Sequence, residues 1–558
     1  MSALYAYAIV SFLLFVFFMR KVGSRELHLP TGPPTIPLIG NLHIFPTEFA
    51  HYKFTEWARK YGGIYSLKLG PGTVVVLTDP AAVKELMDKR SSSTADRPSM
   101  FVADLVAGGR NMVLARYGGL FAAIHIYRSL PFYPAETWRT LRRASRSVLT
   151  PQASVLHLPI QQAESIQLLY DFYRKPEDFY THLRRYSSSV ILSVLYGVRS
   201  PRYETQATAA FFESQHEWER VLEPGATPPV DLIPILKYVP QRWAKWKRDC
   251  AKTRQLQRTL YVDLLEQTAR RLARGEENGS YMEDILHQEQ ALAFVYADLS
   301  KIRYLGGALV EGGSDTTSSF LQSLVLVLAA FPDAQKKAQE EMDRIVGTQR
   351  LPSLKDLDDL HYIRALILET HRFRPVAPLM VPHATLRSEQ YGDYFIPSGA
   401  TIFVNTWGIF HDPALFDAPE TFNPDRYILT EHGTKPGVQV DGLRPSFPFG
   451  VGRRICPGIN IAQNSININT LNLVWAFNFQ PPLDDSGKEI DLDLFDYQRG
   501  ILTAPSPFEC RIQVRTPHKA NLIKQAFLEA TDTFAKFEFG LSAQDEEHIQ
   551  SLRAEAAS

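Results

Sequence analysis

The chain has 558 residues, of which 45% are hydrophobic and 22% are charged, a globular composition that allows a large buried core. Sixty basic residues balance 60 acidic ones, so the net charge does not indicate a nucleic-acid partner. The three cysteines, Cys250, Cys456 and Cys510, are too few for a disulfide scaffold and indicate a reducing compartment.

The first element is an apolar N-terminus. Met1 to Met19 contains no charged side chain, and Arg20 and Lys21 follow it. A helix of about 19 residues nearly spans the hydrocarbon core of a bilayer. Because the positive charges follow the apolar run and no small-residue cleavage step comes after it, the pattern predicts an uncleaved single-pass anchor over residues 1–20, with the catalytic chain in the cytosol. A buried core helix is the alternative. Residues 21–41 are proline-rich and are predicted to form a hinge.

Strands and helices are predicted along the rest of the chain. Ile64 to Pro80 reads as two strands joined at Pro71–Gly72, and Tyr391 to Asn405 alternates like a hairpin. Apolar residues at helical spacing predict helices over Ile160–Arg174, Val190–Tyr196, Trp243–Arg274, Asp298–Ala330, Asp333–Val346 and Leu360–Phe373, and one after Cys456. Together these elements predict one mainly α-helical domain with small β-sheets over residues 42–515.

The helix predicted over Asp298–Ala330 is apolar nearly all round, as is typical of a buried helix. Two glycine pairs, Gly306–Gly307 and Gly312–Gly313, interrupt it. A glycine inside a helix costs about 1 kcal/mol relative to alanine. The pairs therefore indicate either close packing against a neighbour or a local opening of the helix.

Cys456 stands directly before Pro457–Gly458 and a helical run. A lone cysteine is most often a small buried apolar residue. The free amides and the dipole of a helix start stabilise an anion, however, so Cys456 is predicted to be a thiolate suited to a soft metal. No second cysteine or histidine lies nearby to complete a zinc site. A heme iron needs only one protein ligand here, because the porphyrin supplies four nitrogens.

The pattern around this cysteine is F-x-x-G-x-R-x-C-x-G, formed by Phe449, Gly452, Arg454, Cys456 and Gly458. In this motif the chain resembles the cytochrome P450 family of heme-thiolate monooxygenases, and further motifs follow in the family's order between Pro33 and Cys510. The resemblance implies the cytochrome P450 fold, with heme b (iron-protoporphyrin IX) as cofactor and Cys456 as its axial iron ligand.

The resemblance also implies which residues surround the heme. Phe449 packs near the sulfur, and Arg454 pairs with a propionate. Trp138 and Arg142 match a W-x-x-x-R motif whose members contact a propionate, and His383 occupies a position that often does the same.

Two further motifs match the family. Gly312 to Thr317 resembles the oxygen-activation segment, in which Asp315 and Thr316 would relay protons through water beside a widened helical turn. A solvent-facing helix cap is the alternative. Glu369 and Arg372 form an E-x-x-R pair on one helix face, which by itself favours a solvated ion pair. The family joins this pair to a later arginine, here Arg426, in a buried structural network.

One segment departs from the family pattern. Removing the 17 residues Gly119 to Ala135 would restore the usual spacing between Asn111–Gly118 and the W-x-x-x-R helix. The segment is apolar and aromatic, unlike a solvated loop. It is either a translated retained intron in the gene model or a true insertion that contacts the membrane or the access channel. Residues 516–558 extend past the usual end of the family and are predicted to form a peripheral helix without assigned chemistry.

The predicted function is monooxygenation of a small apolar organic substrate with O2, by a fungal microsomal enzyme in the endoplasmic reticulum membrane, in secondary metabolism or detoxification. Electrons would come from an NADPH-dependent reductase, since no G-x-G-x-x-G signature follows a strand. Arg139, Arg143 and Arg146 form either its docking face or an ordinary solvated face. Substrate contacts are expected from Phe101–Met112, Phe211–Leu222, Val376–Met380 and Ile501–Thr503. The alternatives are a heme-thiolate isomerase or dehydratase that needs no O2, which the Asp315–Thr316 pair argues against, and a heme-binding protein inactivated by the insert.

Overall fold

The computed structural model describes residues 22–117, 136–223, 226–291, 299–438 and 440–558. The predicted anchor and the segment Gly119–Ala135 lie outside these residues. Among the residues that are described, no single helix is both long and apolar enough to cross a membrane. One pair of helices, Ile302–Ala330 and Pro332–Ile345, meets that criterion jointly by length and composition, with a bend of 103° between them.

The described chain is mainly α-helical and carries small β-sheets, in agreement with the sequence. Its helices are α1 (Ala50–Tyr61), α2 (Pro80–Val83), α3 (Ser91–Thr94), α4 (Phe101–Ala107), α5 (Glu136–Ala144), α6 (Arg146–Leu149), α7 (Pro151–Leu156), α8 (Leu158–Arg174), α9 (Phe179–Tyr196), α10 (Gln206–Leu222), α11 (Lys245–Ala273), α12 (Tyr281–Ala291), α13 (Leu299–Ala330), α14 (Pro332–Ile345), α15 (His361–Phe373), α16 (Thr406–Phe410), α17 (Arg426–Leu429), α18 (Ile459–Ala476), α19 (Pro517–Glu529), α20 (Thr531–Ala535) and α21 (Ala543–Ala557). Its strands are β1 (Ile64–Leu69), β2 (Gly72–Leu77), β3 (His383–Ala384), β4 (Glu389–Tyr391), β5 (Tyr394–Ile396), β6 (Thr401–Val404), β7 (Phe477–Gln480) and β8 (Arg511–Val514).

Local sequence signals set several helix ends. α7 and α19 begin after Thr150 and Thr516, whose hydroxyls accept hydrogen bonds from the amides of Ala153 and Lys519, and each has proline at its start. α9 ends at Gly197, which has φ +69°, a conformation that glycine adopts without steric cost.

The largest sheet has the strand order β1-β2-β6-β3. β1 and β2 form the predicted antiparallel hairpin, and β2 pairs in parallel with β6. The prediction of one hairpin over Tyr391–Asn405 is wrong, because β5 pairs with β4 while β6 lies between β2 and β3. Alternation reports which side chains are buried and does not identify the neighbouring strand.

α13 runs through the centre of the core, where it packs against α9 and α18. Every residue from 320 to 329 is buried, as the apolar pattern predicted. α8 packs on α18 and on α9, so the four helices enclose one continuous apolar cluster.

The prediction of a peripheral helix over residues 516–558 is wrong. The segment forms three helices, and α19 and α20 pack on α8. It contributes to the main core the buried side chains Ile523, Phe527, Phe534 and Leu552. The guanidinium of Arg199 lies 3.6 Å from the Phe534 ring centroid and pairs with Glu538 at 2.7 Å. These contacts make the segment part of the domain's hydrophobic core.

Candidate active site

The Cys456 loop is shaped by two glycines and closed by a backbone hydrogen bond. Gly450 and Gly452 have φ +96° and +58°, and a side chain on Gly452 would meet the Met87 carbonyl oxygen at 2.1 Å. The Cys456 amide donates to the Phe449 carbonyl at 2.8 Å. The loop therefore holds Cys456 at a fixed position just before α18, with its side chain half-buried.

Burial and the helix start act on the Cys456 thiol in opposite directions. Burial raises the pKa of Cys456, while the Gly458 amide and Arg142 oppose that shift without cancelling it. α18 begins at Ile459 rather than at Pro457, and Gly458 occupies its N-cap position. The helix start favours the thiolate, and a metal cation at the sulfur would favour it further.

Two guanidinium groups, those of the buried Arg97 and the half-buried Arg454, lie near the loop and donate to backbone carbonyls. Arg454 donates to Ala95 at 2.8 Å and to Ala115 at 2.6 Å. Arg97 donates to the carbonyls of three residues, Val113, Val381 and Pro382, at 2.7–2.9 Å. Burial lowers the pKa of Arg454 to about 9. Burial also lowers the pKa of Arg97, and the nearby positive charge of Arg454 lowers it further.

Asp96 is the carboxylate that favours both of these charges, and it already accepts from the Tyr117 amide and pairs with Arg116. The two positive charges of the guanidiniums therefore outnumber the single negative charge of the nearby carboxylate. Sequence reasoning missed Arg97, because the step Asp96-Arg97-Pro98 carries no signal of its burial.

The other predicted heme contacts gather at the same place. Arg142 donates to the carbonyl of Ile455, the residue before Cys456, at 2.7 Å. The Arg454 guanidinium lies 4.4 Å from the ring centroid of the buried Trp138. His383 is buried, and its Nδ1 lies 2.9 Å from the Thr94 carbonyl oxygen, so Nδ1 carries a proton. Burial, reinforced by Arg97, lowers the pKa of His383 well below its ordinary value.

This donor set fits heme. Cys456 supplies one soft ligand, and the excess positive charge of Arg97 and Arg454 suits a pair of propionate carboxylates. Within the described ranges, no group of three or more His, Cys, Asp or Glu residues is placed to hold a metal ion. A single cysteine ligand suits a metal that brings its other ligands with it, as heme does. A side chain added at Gly312 or Gly458 would meet no atom within 4 Å, so there is space beside both.

The glycines of α13 divide into two kinds. Side chains at Gly306, Gly307 and Gly313 would come within 2.1–2.7 Å of neighbouring side chains, whereas Gly312 borders open space. The first three serve close packing. The predicted widened turn is absent, because α13 is continuous over its described length, and the Thr316 hydroxyl donates to the Gly312 carbonyl at 2.7 Å.

Asp315 lies beside a second carboxyl group that sequence reasoning did not select. Its side chain shares a hydrogen bond with Glu219 of α10, and Glu219 also accepts from Gln215 at 2.9 Å. Burial raises the pKa of Asp315, and Arg184 acts in the opposite direction. The result is a half-buried acid pair next to Thr316.

The E-x-x-R residues form a buried network. Glu369 and Arg372 are both fully buried and pair at 2.7 Å, and Arg426 joins Glu369 at 3.1 Å. The Asn423 amide also donates to Glu369 at 2.8 Å. Burial excludes the solvated ion pair that the spacing alone favoured, and the structure places these residues in a supporting position.

Segments expected to contact substrate line two cavities. The larger has a volume of about 280 Å³ and lies between Met100–Ala103 on one side and Val221–Glu223 with Thr227–Leu232 on the other. The smaller, about 70 Å³, is bordered by Asp315, Phe212 and Leu502. The Thr503 amide donates to the Val376 carbonyl at 2.8 Å, which brings two more of the expected segments together.

Comparison with known proteins agrees with this arrangement. The sequence model of the cytochrome P450 family matches residues 30–511. A cytochrome P450 monooxygenase of Armillaria gallica is 42% identical over 542 residues, covering 96% of this chain and 100% of that protein. The cytochrome P450 monooxygenases acuD of Aspergillus aculeatus and patH of Penicillium expansum are 36% and 37% identical, over 96% and 93% of this chain and 97% and 95% of their own.

The helical fold, the cysteine loop and the matched length define an oxidoreductase class that binds heme through a cysteine thiolate. The chain belongs to the cytochrome P450 family.

Proposed function

We propose that this protein inserts one oxygen atom of O2 into a small apolar organic substrate, with electrons from an NADPH-dependent reductase. The observation that carries the proposal is the closed Cys456 loop with Arg97, Arg142 and Arg454 around it. In the overall reaction, a C–H bond, O2, two electrons and two protons give an alcohol and water.

The residues have distinct roles in this proposal. Cys456 would hold the heme iron through its sulfur, and Phe449 would pack beside that sulfur. Arg97, Arg142, Arg454 and Trp138 would hold the propionates. Because Nδ1 of His383 already carries the proton, Nε2 can donate a hydrogen bond only when the ring is an imidazolium. A neighbouring propionate carboxylate would favour that charged form. When bound, heme supplies the redox chemistry of O2, while Asp315 and Thr316 hold and move the protons. Glu369, Arg372 and Arg426 support the fold around the site.

The exposed arginines of α5 and α6 support a reductase contact. Arg139, Arg143 and Arg146 are exposed, on the segment that also carries Arg142. A basic face suits an acidic redox partner and would accelerate its association at low salt.

The membrane assignment rests on residues 1–20 as the anchor, 21–41 as the hinge and 42–515 as the catalytic domain, with 516–558 as an extension. Exposed apolar side chains near the hinge and elsewhere support contact with lipid. They include Leu27, Ile235, Tyr238 and Trp243. Deletion of residues 1–20 is expected to move the protein from the endoplasmic reticulum membrane to the soluble fraction, and an unchanged distribution would contradict the anchor.

The function is tested with purified protein, a fungal reductase and NADPH against a panel of apolar compounds. Product that gains one oxygen atom from labelled O2, and only when the reductase is present, is the expected result. Conversion of a panel compound without O2 or reductase would establish an isomerase or dehydratase instead. Heme binding without any turnover would establish a heme-binding protein without monooxygenase activity.

A further inference from the structure

A small polar cavity lies beside the oxygen-activation segment. Its volume of about 70 Å³ accommodates a few water molecules and is too small for an organic substrate. Polar side chains from four parts of the fold line it: Asp315 of α13, Glu219, Gln215 and His216 of α10, Arg184 of α9, and Gln498 and Arg499 from the loop before β8.

The contact between Asp315 and Glu219 is the main feature of this cavity. Two carboxyl groups in hydrogen-bond contact cannot both ionise at low cost, so the pair retains one proton. Burial, reinforced by Asp315, raises the pKa of Glu219, and Arg184 opposes the shift. Arg184 thus favours the single negative charge that remains on the pair.

The cavity connects the catalytic segment to the exterior of the protein. Asp315, which precedes Thr316, lines the same cavity as His216 and Arg499, which are exposed. Glu219 contacts Asp315 and also accepts a hydrogen bond from Gln215, another residue that lines the cavity. A purely structural hydrogen bond between α10 and α13 would not require two carboxyl groups.

We propose that Glu219 delivers solvent protons to Asp315 during O2 reduction, an inference that rests on the proposed function. In this step the O–H bond of the Glu219 carboxyl breaks as an O–H bond forms on the Asp315 carboxylate. The Glu219 carboxylate then takes a proton from cavity water, and that water recovers a proton from the solvent. No electrons move in the step, and Glu219 acts through Asp315 rather than on the reacting oxygen.

The test compares Glu219→Gln with the wild-type holoenzyme, using reductase, NADPH and O2 without an organic substrate. Glutamine keeps the shape and hydrogen bonding but cannot release a proton. The rate of water formation is expected to fall by about tenfold or more, with a larger share of the O2 consumed appearing as peroxide. Heme content and the spectrum of the ferrous carbonyl complex should not change.

Four comparisons separate proton delivery from packing. Glu204→Gln, which changes an exposed acid just before the same helix, should behave as wild type. Glu219→Asp should recover much of the water formation, and Glu219→Gln combined with Asp315→Asn should be no worse than Asp315→Asn alone. In the wild type the peroxide share should rise in alkaline solution, as the pair loses its shared proton, and Glu219→Gln should lack this response.

An unchanged peroxide share in Glu219→Gln would overturn the proposal, as would equal losses in Glu219→Asp and Glu219→Gln, or additive effects in the double variant. If the wild type itself consumes no O2 with reductase and NADPH, the proposed monooxygenase function fails before any variant is compared.

Discussion

Arg97, Arg142 and Arg454 show how single side chains set the charge of the site. Backbone carbonyls fix all three, so their positions do not depend on a carboxylate partner. The sequence identified Arg142 and Arg454, because each belongs to a motif with fixed spacing. It could not identify Arg97, since burial depends on how α3, α4 and the strand β3 come together.

Thr316 offers the simplest test of proton delivery at the residue scale. Thr316→Ala removes a hydroxyl that donates to the Gly312 carbonyl without changing the backbone of α13. Product formed per NADPH is expected to fall by about tenfold while peroxide rises, because proton transfer falters. Thr316→Ser keeps the hydroxyl and should stay near wild type. Unchanged coupling in the alanine variant would remove Thr316 from the relay.

Glu369 tests the buried network. Glu369→Gln leaves Arg372 and Arg426 without their carboxylate and should lower the free energy of unfolding by about 3–5 kcal/mol. The matched control is Lys337→Met, which breaks the exposed Lys337–Asp425 pair and should cost less than about 1 kcal/mol. Denaturant unfolding of both variants measures the difference. Equal small losses would contradict a buried structural role.

At the scale of elements, α13 resolves an ambiguity that the sequence left open. Glycine pairs predict either close packing or an opened helical turn, because glycine allows both. Only the neighbours Tyr196, Tyr261 and Ile191 show that Gly306, Gly307 and Gly313 serve packing. Similarly, the start of α18 predicted an easily ionised Cys456, but the burial that opposes ionisation comes from the tertiary structure.

The C-terminal helices are expected to contribute to global stability. Leu552 of α21 is buried in the main core, so Leu552→Ala should lower the free energy of unfolding by about 2–5 kcal/mol. Leu429→Ala changes a leucine that is 74% exposed and should have an effect within about 0.5 kcal/mol. If the unfolding curves of the two variants coincided, α21 would not be part of the cooperative unfolding unit.

For the whole molecule, the sequence predicted the mainly helical class and the ends of most long helices within a few residues, since the spacing of apolar residues indicates both the presence and the position of a helix. It did not predict the parallel pairing of β2 with β6, because these strands are far apart in the chain. Nor did it predict that α19–α21 join the core, because amphipathic spacing does not reveal which surface a helix covers. Motif residues were identified by spacing, whereas Arg97 and Glu219 emerge only from their neighbours.

The most direct test of the account is the spectrum of the ferrous carbonyl complex of Cys456→Ala. Cys250→Ala and Cys510→Ala are the controls, since all three cysteines are free. Thiolate ligation gives this complex the red-shifted Soret band that is characteristic of the family. Cys456→Ala is expected to lose this band while both controls keep it. A Cys456→Ala protein that retains the band, or a control that loses it, would contradict Cys456 as the axial ligand.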